Sequence, residues 1–186
     1  MKMIRNIVGI FMAIFVFSFV DINAQSFSDR GSQSVKSIEQ QIFRKINGLP
    51  YYGVFDHIAF EVKPGNRVIL YGKVNSLGTK RDAEKAVRRI AGVQSVENRI
   101  INLPPSSFDS QIRRGIVRNF VSSAGLYGYL REPSPSVRII VENGRVTLEG
   151  YVSNRGTANL MGALANQVPG VFNVRNNLVI GNGRDR

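Results

Sequence analysis

RVILYGKVNSLGT (Arg67 to Thr79) returns as RVTLEGYVSNRGT (Arg145 to Thr157). Arg67, Val68, Leu70, Gly72, Val74, Gly78 and Thr79 recur as Arg145, Val146, Leu148, Gly150, Val152, Gly156 and Thr157, at a constant step of 78 from Gly72 to Gly150. The match runs on without a gap, with Gly92, Val93, Val96 and Asn98 becoming Gly170, Val171, Val174 and Asn176. A repeat this long is a whole domain written twice, well above the length of solenoid repeats.

Periodicity assigns the elements outward from that stretch. Val68, Leu70, Gly72 and Val74 alternate as a strand, and Ile58, Phe60 and Val62 form the strand before it, joined by Pro64-Gly65-Asn66. In the second copy Val137, Ile139 and Val141 precede Glu142-Asn143-Gly144, a turn one residue shorter, and then Val146, Leu148 and Val152. Ser76 and Asn154 are matching N-cap residues. Behind them Ala83, Ala86, Val87 and Ile90 are echoed by Met161, Leu164, Ala165 and Val168 at helical spacing. Gly92 and Gly170 end these helices as left-handed C′ residues. Val96, Asn98 and Ile100, matched by Val174, Asn176 and Leu178, make a final strand.

Each copy also opens on a helix. Val35, Ile38, Ile42 and Ile46 lie on one face, and Ile112, Ile116 and Phe120 repeat the last three at a step of 74. The unit is therefore α-β-β-α-β. This is an α+β fold, two tandem domains each with a three-stranded mixed sheet and two helices packed on it. The helical crossover makes the second and third strands parallel, with the usual right-handed connection. The expected boundaries are a signal peptide at 1–24, a flexible lead-in at 25–33, domains at 34–103 and 108–180, a Pro-stiffened linker at 104–107 and a flexible tail at 181–186. Domains of roughly 60 to 70 residues bury only about 60% of their unfolded surface, so the copies should pack on each other or on a partner.

Composition narrows the chemistry. Cysteine is absent, which removes disulfides, thiolate catalysis, thiolate zinc sites and a lipid-modified cysteine, and the single His57 disfavours imidazole chemistry. His57 has no partner cluster and reads as structural. No nucleophile-base pair, metal-ligand cluster or cofactor motif stands out, so an enzyme, a metal and a cofactor are not expected. Lys2 and Arg5, the apolar run Ile7 to Val20 and Ile22-Asn23-Ala24 have the layout of a cleavable secretory signal. An uncleaved membrane anchor is the rival reading, against which the run is short and Asp21 interrupts it. The net charge is +12; without Lys2, Arg5 and Asp21, 23 basic and 12 acidic side chains leave +11. Strong positive charge favours anionic surfaces, and export points to phospholipid head groups or acidic glycans rather than nucleic acid.

V-x-L-x-G-x-V, a polar helix cap, a helix and then G-V-x-x-V-x-N-x-[IL] together resemble the BON domain, over Ser34 to Leu103 and Phe108 to Ile180. The resemblance implies an exported bacterial protein of the periplasm or outer-membrane face, associated with phospholipid binding, envelope integrity and osmotic stress, and without a characteristic enzymatic activity. Members that carry a lipobox depart from this chain, which has no cysteine to anchor.

Gly72, Gly150, Gly92, Gly170, Asn98 and Asn176 are read as structural, the strand glycines relieving a clash beneath a packed helix and the asparagines pinning backbone. Gly78-Thr79 and Gly156-Thr157 lie in first helical turns, where backbone N–H groups can bind phosphate, but most such starts are simply capped. The lipid-binding candidates are Arg113, Arg114 and Arg118 with Phe108, Tyr127 and Tyr129, since arginines pair with lipid phosphates while rings sit at head-group depth. The competing reading is that Ile112, Ile116 and Phe120 face the core and the arginines form a solvated edge. Lys80, Arg81, Lys85, Arg88 and Arg89 form a second basic cluster without aromatic residues, read as a solvated face. The alternative function is a protein-interaction or scaffold module in the envelope, docking through its hairpin edges.

Overall fold

A computed structural model of the chain describes residues 25–123, 125–131 and 134–181, with side chains of the first helix described from Val35. The expected signal peptide, and all of the expected tail except Gly181, lie outside the described residues.

The first domain runs α1 (Gln25–Asn47), β1 (His57–Lys63), β2 (Arg67–Val74), α2 (Leu77–Arg88), β3 (Ser95–Asn98) and β4 (Ile101–Asn102). The second runs α3 (Ser107–Ser122), a 3₁₀ turn (Tyr127–Leu130), β5 (Val137–Glu142), β6 (Arg145–Val152), α4 (Arg155–Asn166) and β7 (Asn173–Ile180). β1 and β2 are antiparallel, as are β5 and β6, while β3 and β4 pair parallel to β2 and β7 pairs parallel to β6. This is the expected mixed α+β sheet in two tandem copies.

Each sheet carries its core on the face under its helices. Ile38, Ile42 and Ile46 of α1 and Ala83 and Val87 of α2 close over Val68, Leu70 and Val74. In the second domain Ile112, Ile116 and Phe120 of α3 and Met161 and Ala165 of α4 close over Val146, Leu148 and Val152. Burying each large aliphatic side chain contributes roughly 1.5–3 kcal/mol. The caps are in place: Ser76 Oγ accepts from the Gly78 N–H at 3.1 Å, and Asn154 Oδ1 from the Thr157 N–H at 2.8 Å. These bonds engage first-turn amides that a phosphate would need.

Three features differ from the expectation. α1 covers Gln25–Asn47, so 25–33 is helical rather than a flexible lead-in; the segment has no proline, and elongating a helix already nucleated by a packed face costs little. The third strand of the first domain is interrupted at Arg99 and Ile100, where the Ile100 N–H bonds the Asn98 side chain at 3.1 Å; the register with β2 resumes unchanged at Ile101. β5 is buried on both faces, because the first domain covers the side that holds Arg138 and Ile140.

The two domains meet through the segment between α1 and β1. Val54 and Phe55 pack against the core of the second domain, and the Val54 carbonyl accepts the Ile139 N–H at 2.7 Å, satisfying the open edge of β5. Arg138 reaches the other way. Its guanidinium donates to the Gly53 carbonyl at 2.7 Å and to Asn47 Oδ1 at 3.2 Å, and lies 4.1 Å from the centre of the Tyr52 ring. A cation here also complements the C-terminal end of α1. Lys73 and Glu142 add an ion pair across the junction.

Candidate anionic-surface site

α3 presents two kinds of arginine. Arg114 and Arg118 stand one turn apart and exposed, and among the described residues neither forms an ion pair. Val121 lies one turn further along the same exposed face. Arg113 is different. Its side chain is only 8% exposed and donates from Nη2 to the Val141 carbonyl at 2.7 Å, which takes it off the outer face. The helix turns about 100° per residue, so the neighbour of Ile112 lies at the edge of the core stripe and its long stem folds over the sheet. Burial pushes the Arg113 pKa down, and the charges of Asp109 and then Asp56 oppose that.

The aromatic candidates also divide. Tyr127 is exposed beyond the C-terminal end of α3. Phe108 lies about 120° round the helix axis from Arg114 and pairs with the 74%-exposed Phe172, ring centroids 6.2 Å apart. Tyr129 is taken up by structure, its hydroxyl 2.7 Å from Ser153 Oγ and its ring against the core. The structure therefore brings together Arg114 and Arg118, with Tyr127 at the end of their helix, and leaves Arg113 and Tyr129 committed elsewhere.

The repeated residues serve the scaffold in both copies. Gly72 and Gly150 have φ of +122° and +116°, and a β-carbon there would stand 2.1 Å from the His57 carbonyl oxygen and 2.0 Å from that of Ser136. The constraint is thus the neighbouring strand, not a helix above the sheet, as the sequence reading had it. Gly92 and Gly170 take left-handed φ of +90° and +91°, but three residues past the C-caps Arg89 and Gln167, in the turn that leads to the next strand rather than at the expected C′ position. Asn98 Nδ2 donates to the Lys80 carbonyl at 3.0 Å and Asn176 Nδ2 to the Ala158 carbonyl at 2.7 Å, tying strand to helix at equivalent points.

Three polar residues that hold this region went unread in the sequence. Asp109 is buried and accepts the N–H groups of Asn143 and Gly144, both at 2.9 Å, locking the start of α3 onto the β5–β6 turn. Asp56 accepts from the Gly53 N–H at 3.2 Å and the Asn75 N–H at 2.7 Å. Arg138 bridges the domains. None has a counterpart at the repeat step, and that lack of symmetry was the available signal. The first domain's basic helix face stays solvated, with Arg88 paired to Glu84 at 2.6 Å. No helix among the described residues is long and apolar enough to cross a membrane.

No curated protein sequence matches the chain. Among the solved structures that resemble it are two at 14% identity and a TM-score of 0.31. One is CdsD, a structural protein of the Type III secretion system of Chlamydia trachomatis, with 78% of this chain and 92% of that chain covered. The other is the C-terminal domain of CdsD, with 77% and 96% covered. At that TM-score the likeness carries no inference for this chain. The BON domain model matches twice, over residues 34–102 and 109–182, each match spanning one α-β-β-α-β unit. The chain belongs to the BON-domain family.

Proposed function

We propose that this is a non-enzymatic, exported envelope protein that binds anionic phospholipid surfaces through the outer face of α3, in support of envelope integrity or osmotic stress tolerance. The observation that carries the reading is the pair Arg114 and Arg118, exposed and without a counter-ion among the described residues, on a helix whose far end meets Tyr127. Unpaired guanidiniums on one helix face are free to form bidentate bonds with lipid phosphates, and each basic group near an anionic bilayer is worth about 1 kcal/mol. The net charge of +12 adds long-range attraction. Co-sedimentation with vesicles tests it. Binding to phosphatidylglycerol-containing vesicles that falls as salt rises, with little binding to phosphatidylcholine alone, is expected; equal binding to both vesicle types contradicts it.

A second reading, an envelope protein-interaction module, draws on β7. That edge strand runs unbroken over Asn173–Ile180 with Val179 and Ile180 half exposed. An open edge can pair with a strand of a partner. The β5 edge, by contrast, is occupied by Val54. A partner captured from envelope extracts whether or not lipid is present favours this reading.

A further inference from the structure

The two copies of the repeat treat their last strand in opposite ways. In the first domain it is cut into β3 and β4, and Glu97 and Arg99 beside the break form an ion pair at 2.6 Å. Short pieces and charged side chains keep a sheet edge from pairing with another chain. β7 has neither device to the same degree: it runs unbroken over Asn173–Ile180, and among the described residues nothing pairs with its outer edge. The contrast extends to the helix before it. Residues 78–103 carry nine charged side chains, whereas the matching residues 156–181 carry one, Arg175.

The outer edge of β7 is able to take a strand. The Gly181 N–H turns inward to the Val152 carbonyl at 2.9 Å, so by alternation the outward backbone groups belong to Val174, Asn176, Leu178 and Ile180. Of these the Leu178 N–H is held by the Asn176 side chain at 3.3 Å, longer than a good N–H···O bond, and a carbonyl of a pairing strand can take its place. On the α4 side of this strand a cleft of about 590 Å³ lies between Leu178 and Ile180 and the helix residues Ala158 and Asn159, with Arg155 also on its wall. Val179 and Ile180 are both half exposed. An unbroken edge beside an apolar cleft is thus left open on the part of the second domain that carries least charge.

We propose that this face joins two copies of the chain: β7 pairs antiparallel with β7 of a second copy about a two-fold axis at Asn177, so that their two three-stranded sheets become one. The inference rests on the reading of β7 as an open docking edge and names its occupant. Charge selects that occupant. A molecule of net charge +12 repels its own copy over most of its surface, but from the start of α4 to the end of β7 only Arg155 and Arg175 are charged. Such a face offers a charged partner strand little to pair with and suits a surface as neutral as itself. The register centred on Asn177 uses residues 174–180 of both strands. It sets each Arg175 opposite Val179 of the second copy rather than opposite its own like, where repulsion would oppose pairing. Val174 then lies opposite Ile180, so that the half-exposed apolar end of one strand is covered by the other copy. Both Arg155 side chains stand at the C-terminal end of their own β7, and an antiparallel pair keeps them at opposite ends of the shared sheet.

Introduced cysteines test the proposal, since the chain has none of its own. Asn177→Cys should form a disulfide-linked dimer under mild oxidation, because the two residues stand opposite each other at the axis. Arg99→Cys, at the same repeat position on the first domain's edge, should stay monomeric. In sedimentation velocity the parent should run at twice the monomer mass at about 100 μM, and Val179→Lys, at a half-exposed position, should weaken that association at least about tenfold with an unchanged far-ultraviolet circular dichroism spectrum. The proposal is overturned by a monomeric parent, by equal cross-linking of Asn177→Cys and Arg99→Cys, or by a Val179→Lys variant as dimeric as the parent. Capture of partners from envelope extracts separates it from the broader reading of β7. Capture lost in Val179→Lys while the parent sediments as a monomer keeps the docking edge and overturns the second copy. Loss of the dimer in Val179→Lys with capture unchanged upholds the second copy and removes a foreign strand from β7.

Discussion

At Gly72 the antiparallel partner leaves no room for a side chain: a β-carbon would overlap the His57 carbonyl, and the residue also sits at φ +122°. Backbone cannot yield as a flexible side chain does, so Gly72→Ala and Gly150→Ala should each cost at least about 2 kcal/mol in urea unfolding. Gly65 at φ +75° has nothing within 4 Å, so Gly65→Ala, paying for the dihedral alone, should cost about 1 kcal/mol. Equal losses at Gly65 and Gly72 would refute the overlap. His57 makes a second residue-scale prediction. Burial lowers its pKa below the ordinary 6.5, with Glu149 opposing the shift and Arg138 adding to it. The unfolded chain then takes up a proton more readily than the folded one, so the contribution is neutral above pH 6.5 and stability falls as pH drops below it. His57→Gln should flatten that part of the stability profile; an unchanged slope between pH 7 and 5.5 would place the titrating group elsewhere.

Among the elements, α3 shows where sequence patterning stops. Ile112, Ile116 and Phe120 identify its core face by spacing alone, and Arg114 and Arg118 follow as the opposite face. That Arg113 folds inward depends on the Val141 carbonyl being within reach, a contact 28 residues away along the chain. The Asp109 clamp escaped for the same reason. An aspartate in a first turn suggests dipole compensation, whereas this one spans 34 and 35 residues to the β5–β6 turn. Asp109→Ala should cost about 1–3 kcal/mol by leaving buried N–H groups unsatisfied, read by urea unfolding at neutral pH. A cost below about 0.5 kcal/mol would mean that water replaces the carboxylate. Both hairpins, both crossover helices and the N-caps were legible because local chemistry dictates them twice over. The interruption between β3 and β4 was not, since the hydrogen bond from the Ile100 N–H to Asn98 that accompanies it has an equivalent in the unbroken β7, from Leu178 to Asn176 at 3.3 Å.

For the whole molecule, the repeat implied that two marginal domains would need each other, and the junction supplies that through features outside the repeat. Arg138 makes its contacts to the first domain from a strand buried from Val137 to Val141, and the fork geometry of its bonds to Gly53 and Asn47 is one that lysine cannot reproduce. Arg138→Lys should therefore cost about 1–3 kcal/mol and separate the thermal unfolding of the two domains into two transitions, followed by calorimetry; a single unshifted transition would show that the remaining junction contacts suffice. The proposed surface site shares that asymmetry, since Arg114 of α3 lies at the junction beside Asp56 and Asn75. Vesicle binding of two charge-matched variants tests this most directly: Arg114→Gln/Arg118→Gln on α3 against Arg81→Gln/Arg89→Gln in the first domain's basic cluster, each two charges below the parent. Binding through α3 predicts that the first pair abolishes co-sedimentation with phosphatidylglycerol vesicles while the second retains most of it. Equal losses from the two pairs would show that net charge alone drives the interaction and would contradict a site on α3.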